Sequence, residues 1–294
     1  MRQSRADQLA RAGLVIRDAD RPELALHLKP VRVVTEDSLN GVEFDLVLLA
    51  CKAYDLHAAI SAIRPAVRPG TFILPLLNGM RHLDVLDDAF GSGKVLGGFC
   101  HIGATLTCGG EVRHLNRLHL LGFGERVAGC EQMAFCNAIE PVLMGSGFVA
   151  CHSTTVMQEM WEKWVFISAL AGSTCLMRGS VGDVTSTCDG RALMSAFLEE
   201  CSSVAAAAGF PASAAFLEDT RDTLTAIGSA TTASMLRDIE AGRQTEGEHV
   251  LGDLVSRAER FALATPLLRA ARCHVQAYEA IRERQCAEAN APPT

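Results

Sequence analysis

Four positions in this chain carry side chains whose type and setting could do chemistry. Lys163, in "MWEKWVFISALAG", starts an apolar helical run and is the last charged residue before Arg178. A lysine held near a low-dielectric wall can have its pKa lowered, donate a proton or stabilise an alkoxide. A lysine snorkelling at a domain surface would show the same pattern. Glu246, in "GRQTEGEHV", is a second candidate. The same residues could begin a helix, with Thr245 as cap and Glu246 and Glu248 complementing its dipole. Asn78-Gly79 reads either as a tight turn or as a ligand contact, because it ends a buried strand where open α/β sheets place ligands. Lys52 holds the equivalent place after the preceding strand.

The elements that must position these residues follow from the hydrophobic pattern. "FDLVLLACKAYDL" predicts a strand; Phe44 to Cys51 is apolar except Asp45, as in a parallel strand buried on both faces. "DLHAAISAIRPAV" predicts a helix, and "PGTFILPLLNGM" a second buried strand. "HLDVLDDAF" predicts a short helix and "KVLGGFCHIGATL" a third strand. "EVRHL" and "RLHLLGFGE" resemble an antiparallel hairpin closing the sheet. Ahead of them, Ala6, Leu9 and Ala10 recur at helical spacing and "GLVI" reads as a strand. From about Ala150 helix follows helix, beginning with the long, almost wholly apolar stretch after Lys163 and ending in a polar tail, "AEANAPPT", expected to be disordered. The expected architecture is α/β plus all-α, with residues 1–150 forming a Rossmann-type doubly wound domain and 151–294 a helical domain, the active cleft lying between them.

Composition narrows the function classes. The 294 residues are 49% hydrophobic, enough for a sizeable core, and the net charge of −7 argues against a nucleic-acid binder. The eleven cysteines form no CxxC pair and no His/Cys group with zinc spacing, so they read as reduced and mostly buried. No apolar run reaches membrane-span length. The Arg-rich start could mimic a mitochondrial presequence, but it also fits a helix-to-strand passage inside an enzyme domain. A cytoplasmic location is expected.

"LLACKAYDL", "PLLNGM", "WEKWVFISALAG" and "TASMLRDIEAGRQTE", in this order and spacing, resemble the ketopantoate reductase family, 2-dehydropantoate 2-reductases, from about Arg2 to Pro266. The resemblance implies an NADPH-binding Rossmann domain and a helical C-terminal domain of the 6-phosphogluconate dehydrogenase type. It implies reduction of a 2-oxo acid to a 2-hydroxy acid, in pantothenate biosynthesis. Residue by residue, it places Lys163 on the catalytic lysine and Glu246 on an acidic residue beside substrate and cofactor. Ser234 falls on a substrate-binding serine, Lys52 and Asn78 on cofactor contacts, and Ile102 on a backbone contact to the cofactor. Asn78 also borders the substrate.

Two departures from the family pattern matter. Asparagines expected after the lysine stand here as Ile167, Ala171 and about Val181. The first two lie roughly 6 and 12 Å along the lysine's helix face, which makes part of the pocket apolar. Arg178 could substitute as a carboxylate partner only if the helix breaks near Gly172, since fifteen helical residues span roughly 22 Å. The substrate is then ketopantoate or a bulkier, more apolar 2-oxo acid. Secondly, no G-x-G-x-x-G precedes "FDLVLLACK", so the Rossmann sheet reads as incomplete and the chain as starting after its second strand. Arg2 or Arg5 is then either a remnant of the site for the NADPH 2′-phosphate or a solvated arginine. The polypeptide is expected to bind NADPH weakly or not at all, and to be poorly soluble or to pair as a homodimer through the open sheet. A non-catalytic binding protein is the competing class.

Overall fold

The computed structural model describes residues 3–18, 23, 25–35, 38–39 and 42–289, with backbone alone for Arg117 and Cys130. Contacts divide the chain into two compact units: Met1–Cys51, Asp55–Leu77 and Val85–Val156 form one, and Lys52–Tyr54, Asn78–Asp84 and Met157–Thr294 the other. The second unit thus gathers the two short segments that follow the strands ending near Lys52 and Asn78.

The first unit is α/β. Helix α1 (Gln3–Ala12) leads into β1 (Leu14–Asp18) and β2 (Ala25–Leu28), followed by β3 (Leu46–Leu49), α2 (Leu56–Ile63) and β4 (Phe72–Pro75). Helix α3 spans Arg81–Phe90; β5 (Gly97–Leu106), β6 (Val112–Gly124), α4 (Cys130–Met144) and β7 (Val149–His152) complete it. β3 and β4 are parallel, and a parallel bridge from Ile73 to Val95 continues from β4 to the approach of β5. In the larger sheet the order is β2-β1-β6-β5, with β7 also pairing β6. Leu74, Leu96, Leu121, Phe123, Cys136 and Leu143 form a core cluster between strands of both sheets and α4, with Phe72 and Phe135 stacked at 4.2 Å beside them. Burying each large side chain of this kind contributes about 1.5–3 kcal/mol.

Three expectations need correction. The hairpin is not made by "EVRHL" and "RLHLLGFGE"; these form one strand, β6, antiparallel to β5. The turn lies earlier, where Thr107 N–H donates to the Glu111 carbonyl and Gly110 adopts φ +82. At Asn116 the side-chain oxygen accepts from Gly103 and Leu118 N–H, absorbing an irregularity that mimics a turn in sequence. β3 is not buried on both faces: Leu48 is 49% exposed, because the described residues leave that face uncovered. Of the ten described cysteines, all thiols, only Cys136, Cys175 and Cys201 are buried and five are exposed.

The second unit is helical: α5 (Val156–Met177), α6 (Val181–Thr185), α7 (Gly190–Ala207), α8 (Ala214–Leu224), α9 (Ser234–Glu240), a π turn (Glu248–Gly252), α10 (Asp253–Arg260) and α11 (Pro266–Ala289). Helix α5 fills its centre, with Trp164, Val165 and Ala169 fully buried. Gly172 allows α7 to close on it, since a Cβ there would lie 2.8 Å from the Phe197 ring. Ala287–Ala289 of the expected tail continue α11; the residues after them lie outside the described residues. Among the described residues, no helix is long and apolar enough to cross a membrane.

Candidate active site

The site is built around Glu246. Its carboxylate, almost wholly buried, accepts the Lys52 ammonium at 3.1 Å through Oε2 and the Ala53 backbone N–H at 2.9 Å through Oε1. Lys52 also donates to Asp238 Oδ2 at 3.3 Å. Burial alone would lower the Lys52 pKa, but Glu246 and Asp238 outweigh it and hold the ammonium above its ordinary value. The sign follows: the stabilisation is present below about pH 10.5 and is lost as pH rises through the folded value. Lys52 is 43% exposed, so solvent screens much of that gain.

Asp238 is in turn gripped by Arg243, with Nε 2.9 Å from its Oδ1. Helix α9 ends in a Schellman motif: Arg243 N–H donates to the Asp238 carbonyl, Gly242 N–H to the Ile239 carbonyl, and Gly242 takes φ +66. That left-handed residue turns the chain so that the Arg243 side chain returns to the carboxylate five residues earlier. Two cations and two carboxylates make the cluster neutral overall. Ser234 is the first residue of α9 and exposed; it lies one turn before Asp238, on the same helix face.

The π turn begins two residues after Glu246. Its first bonds run from His249 and Val250 N–H to the Glu246 carbonyl. The Trp164 indole donates to the Val250 carbonyl at 3.0 Å and so ties the residue after Lys163 to that turn. Lys163 itself is buried, at 9% exposure, within α5. The helix runs unbroken to Met177, so Arg178 stays at its far end and cannot serve beside Lys163. Ala171 is buried, Ile167 partly so, and Val181 is the buried first residue of α6.

Asn78 and Gly79 meet the same turn. Gly79 has φ +78, and a Cβ there would lie 3.1 Å from the His249 ring. Gly79→Ala should therefore cost about 1–2 kcal/mol from the left-handed backbone alone, read as a lowered denaturation midpoint with an unchanged slope. His249 stacks on the buried His82 with ring nitrogens 3.4 Å apart. Burial pushes the His249 imidazole below its ordinary value, against the opposing pull of Glu246, Asp253 and the Asn78 backbone. The folded protein then keeps His249 neutral where the unfolded chain protonates. Stability should fall as pH drops below about 6.5, and unfolding titrations at pH 7 and 5 should show a smaller loss for His249→Gln.

The structure thus brings Lys52 and Glu246 together, with Ser234 one turn from Asp238, the second carboxylate on Lys52, and Asn78 beside His249. Ile102 lies in β5 of the α/β unit, 52% exposed, at the irregularity facing His119. Arg2 lies outside the described residues. Sequence reading missed Asp238, Arg243, His249 and His82; the Asp-x-x-x-Gly-Arg spacing was the available signal for the first two.

The profile described as "Ketopantoate reductase PanE/ApbA" matches residues 1–126, and "Ketopantoate reductase PanE/ApbA C terminal" matches residues 155–279. The chain is 34% identical over 284 residues to "Uncharacterized oxidoreductase YkpB" of Bacillus subtilis (strain 168), covering 95% of this chain and 90% of that protein. The chain belongs to the ketopantoate reductase family. Among solved structures, the 2-dehydropantoate 2-reductase from Methylococcus capsulatus matches with a TM-score of 0.80 at 26% identity, over 95% of this chain and 88% of that one. D-mandelate dehydrogenase with NADH and anilino(oxo)acetate matches with a TM-score of 0.82 at 18% identity, over 96% and 89%, a likeness of fold. The Rossmann-like α/β unit and the helical unit are those of ketopantoate reductase structures.

Proposed function

We propose that this family member reduces a 2-oxo acid to the 2-hydroxy acid with a nicotinamide cofactor, NADPH by the family resemblance. The observation that carries the reading is the grip of Glu246 on Lys52 and Ala53, which unites two residues 194 positions apart that the resemblance places separately beside the cofactor. The residues suit such a cofactor in a particular way. A neutral cluster of Lys52, Arg243, Asp238 and Glu246 suits hydroxyl and amide groups, such as a ribose and a carboxamide, better than a phosphate. The absence of a side chain at Gly79 lets the His249 ring close on the backbone at Asn78-Gly79. When bound, the nicotinamide supplies the hydride. Lys163 would hold a proton at Nζ and donate it to the substrate oxygen as charge builds there. Ser234 would bind the substrate, Asn78 would border both, and the Ile102 backbone would touch the cofactor.

Ketopantoate is one substrate reading; a 2-oxo acid with a larger apolar tail is the other. Ile167 and Ala171, in place of asparagines on the lysine's helix face, favour the second. A D-mandelate dehydrogenase with this fold is consistent with it. A panel of 2-oxo acids assayed by NADPH and NADH oxidation should show kcat/KM higher for phenyl- or branched-alkyl 2-oxo acids than for ketopantoate. Ile167→Asn should shift the preference toward ketopantoate. A wild-type preference for ketopantoate would mean the asparagines are dispensable.

A further inference from the structure

We propose that Glu125, Cys136 and His152 form a binding site for a borderline divalent cation of the zinc class. The three residues come from the end of β6, the middle of α4 and the end of β7, and their donor atoms all lie within 4.8 Å of one another. His152 Nε2 is 3.0 Å from Glu125 Oε2. Cys136 is fully buried and belongs to the α/β core. A thiolate, an imidazole and a carboxylate are the donor types zinc selects, at about 2.3 Å for sulfur and 2.0–2.2 Å for nitrogen and oxygen. Closing the group onto one ion needs a contraction of roughly 1 Å, within the reach of side-chain torsions on three separate elements.

The surroundings are those of a metal-bound histidine. If Nε2 takes the cation, Nδ1–H remains, and it faces Glu140 Oε2 at 3.8 Å, a contact that becomes a hydrogen bond once the Glu140 side chain closes by roughly half an ångström. A ligating histidine characteristically gives its second N–H to such a carboxylate, which fixes the tautomer and the ring plane. Glu140 reaches that position because it lies one turn after Cys136 on α4. The ring is held from the other side by stacking on Phe123 at 5.4 Å with planes 12° apart. Three protein donors leave a fourth tetrahedral position for water. Binding replaces the Cys136 thiol proton, which passes to solvent, and links β6, α4 and β7. The ligands are 11 and 16 residues apart and one is a glutamate, so no zinc spacing announces them in the sequence.

The test uses the full chain after chelator treatment, titrated with Co²⁺. The expected result is one equivalent bound, with a thiolate-to-cobalt charge-transfer band, visible bands of tetrahedral intensity, and displacement by Zn²⁺. Cys136→Ser should abolish the charge-transfer band. His152→Gln should weaken binding at least tenfold, and Glu140→Gln, acting through His152, by about 10- to 100-fold. A variant with the exposed Cys108, Cys151, Cys188, Cys273 and Cys286 all changed to serine should keep the band. Should Cys136→Ser fail to fold, that variant and His152→Gln decide. No stoichiometric band, or a band that vanishes with the exposed cysteines and survives His152→Gln, would overturn the site and assign the binding to surface thiols.

Discussion

Replacing Lys163 with alanine should lower kcat for 2-oxo acid reduction by about 10²–10⁴-fold, the usual effect of removing a general acid, while the cofactor dissociation constant changes little. The expectation rests on position and chemistry together. Lys163 sits at 9% exposure in a helix whose next residue, Trp164, is hydrogen-bonded to the turn that follows Glu246. A cation so sheltered from solvent acts more strongly on a developing alkoxide than a surface lysine would. Lys163→Met, which keeps the volume and removes the charge, guards against a packing artefact. Near-normal turnover in either variant would make Lys163 a structural lysine, leaving the proton to another donor.

Much of this arrangement is legible along the chain, and the remainder is hidden for identifiable reasons. Runs of apolar residues announce β3, β4 and α5, and so they place Lys52 and Asn78 just past strand ends and Lys163 inside a largely buried helix. Helix α4 escapes notice, since Pro141 and a scatter of cysteine and methionine blur its period. The pairing of Lys52 with Glu246 spans 194 residues, and only folding reveals it. Asp238 looks like one more polar position on a short amphipathic helix until the Gly242 turn brings Arg243 back to it. His249, in "EGEHVLG", has no sequence signal of its own, yet the π turn brings it against His82 and Gly79. Local signals thus place the residues on their elements, whereas their partners are set by tertiary contacts.

Glu246→Gln should be the second most damaging change. In the native arrangement one carboxylate serves two donors, the Lys52 ammonium and the Ala53 N–H. An amide has one acceptor oxygen, so in either orientation its NH₂ must face a donor. One of the two bonds is lost, and a donor is left poorly paired at a nearly buried site, which costs about 1–3 kcal/mol of stability. Lys52 would keep Asp238 but lose its larger electrostatic partner, and its ammonium would titrate at lower pH than in the wild type. The kinetic loss should exceed the stability loss. Lys52 and the Ala53 backbone are positioned by this one carboxylate, and a displacement of about 1 Å at a reacting site can cost 10²-fold in rate. Glu246→Asp separates the two effects, because it keeps the charge while withdrawing the oxygens by one methylene. If positioning matters, Glu246→Asp should stay closer to wild type in stability than Glu246→Gln and still show kcat/KM reduced by about 10²-fold. If kcat/KM per folded molecule were instead unchanged in both variants, the carboxylate would be holding the fold together and taking no part in the reaction.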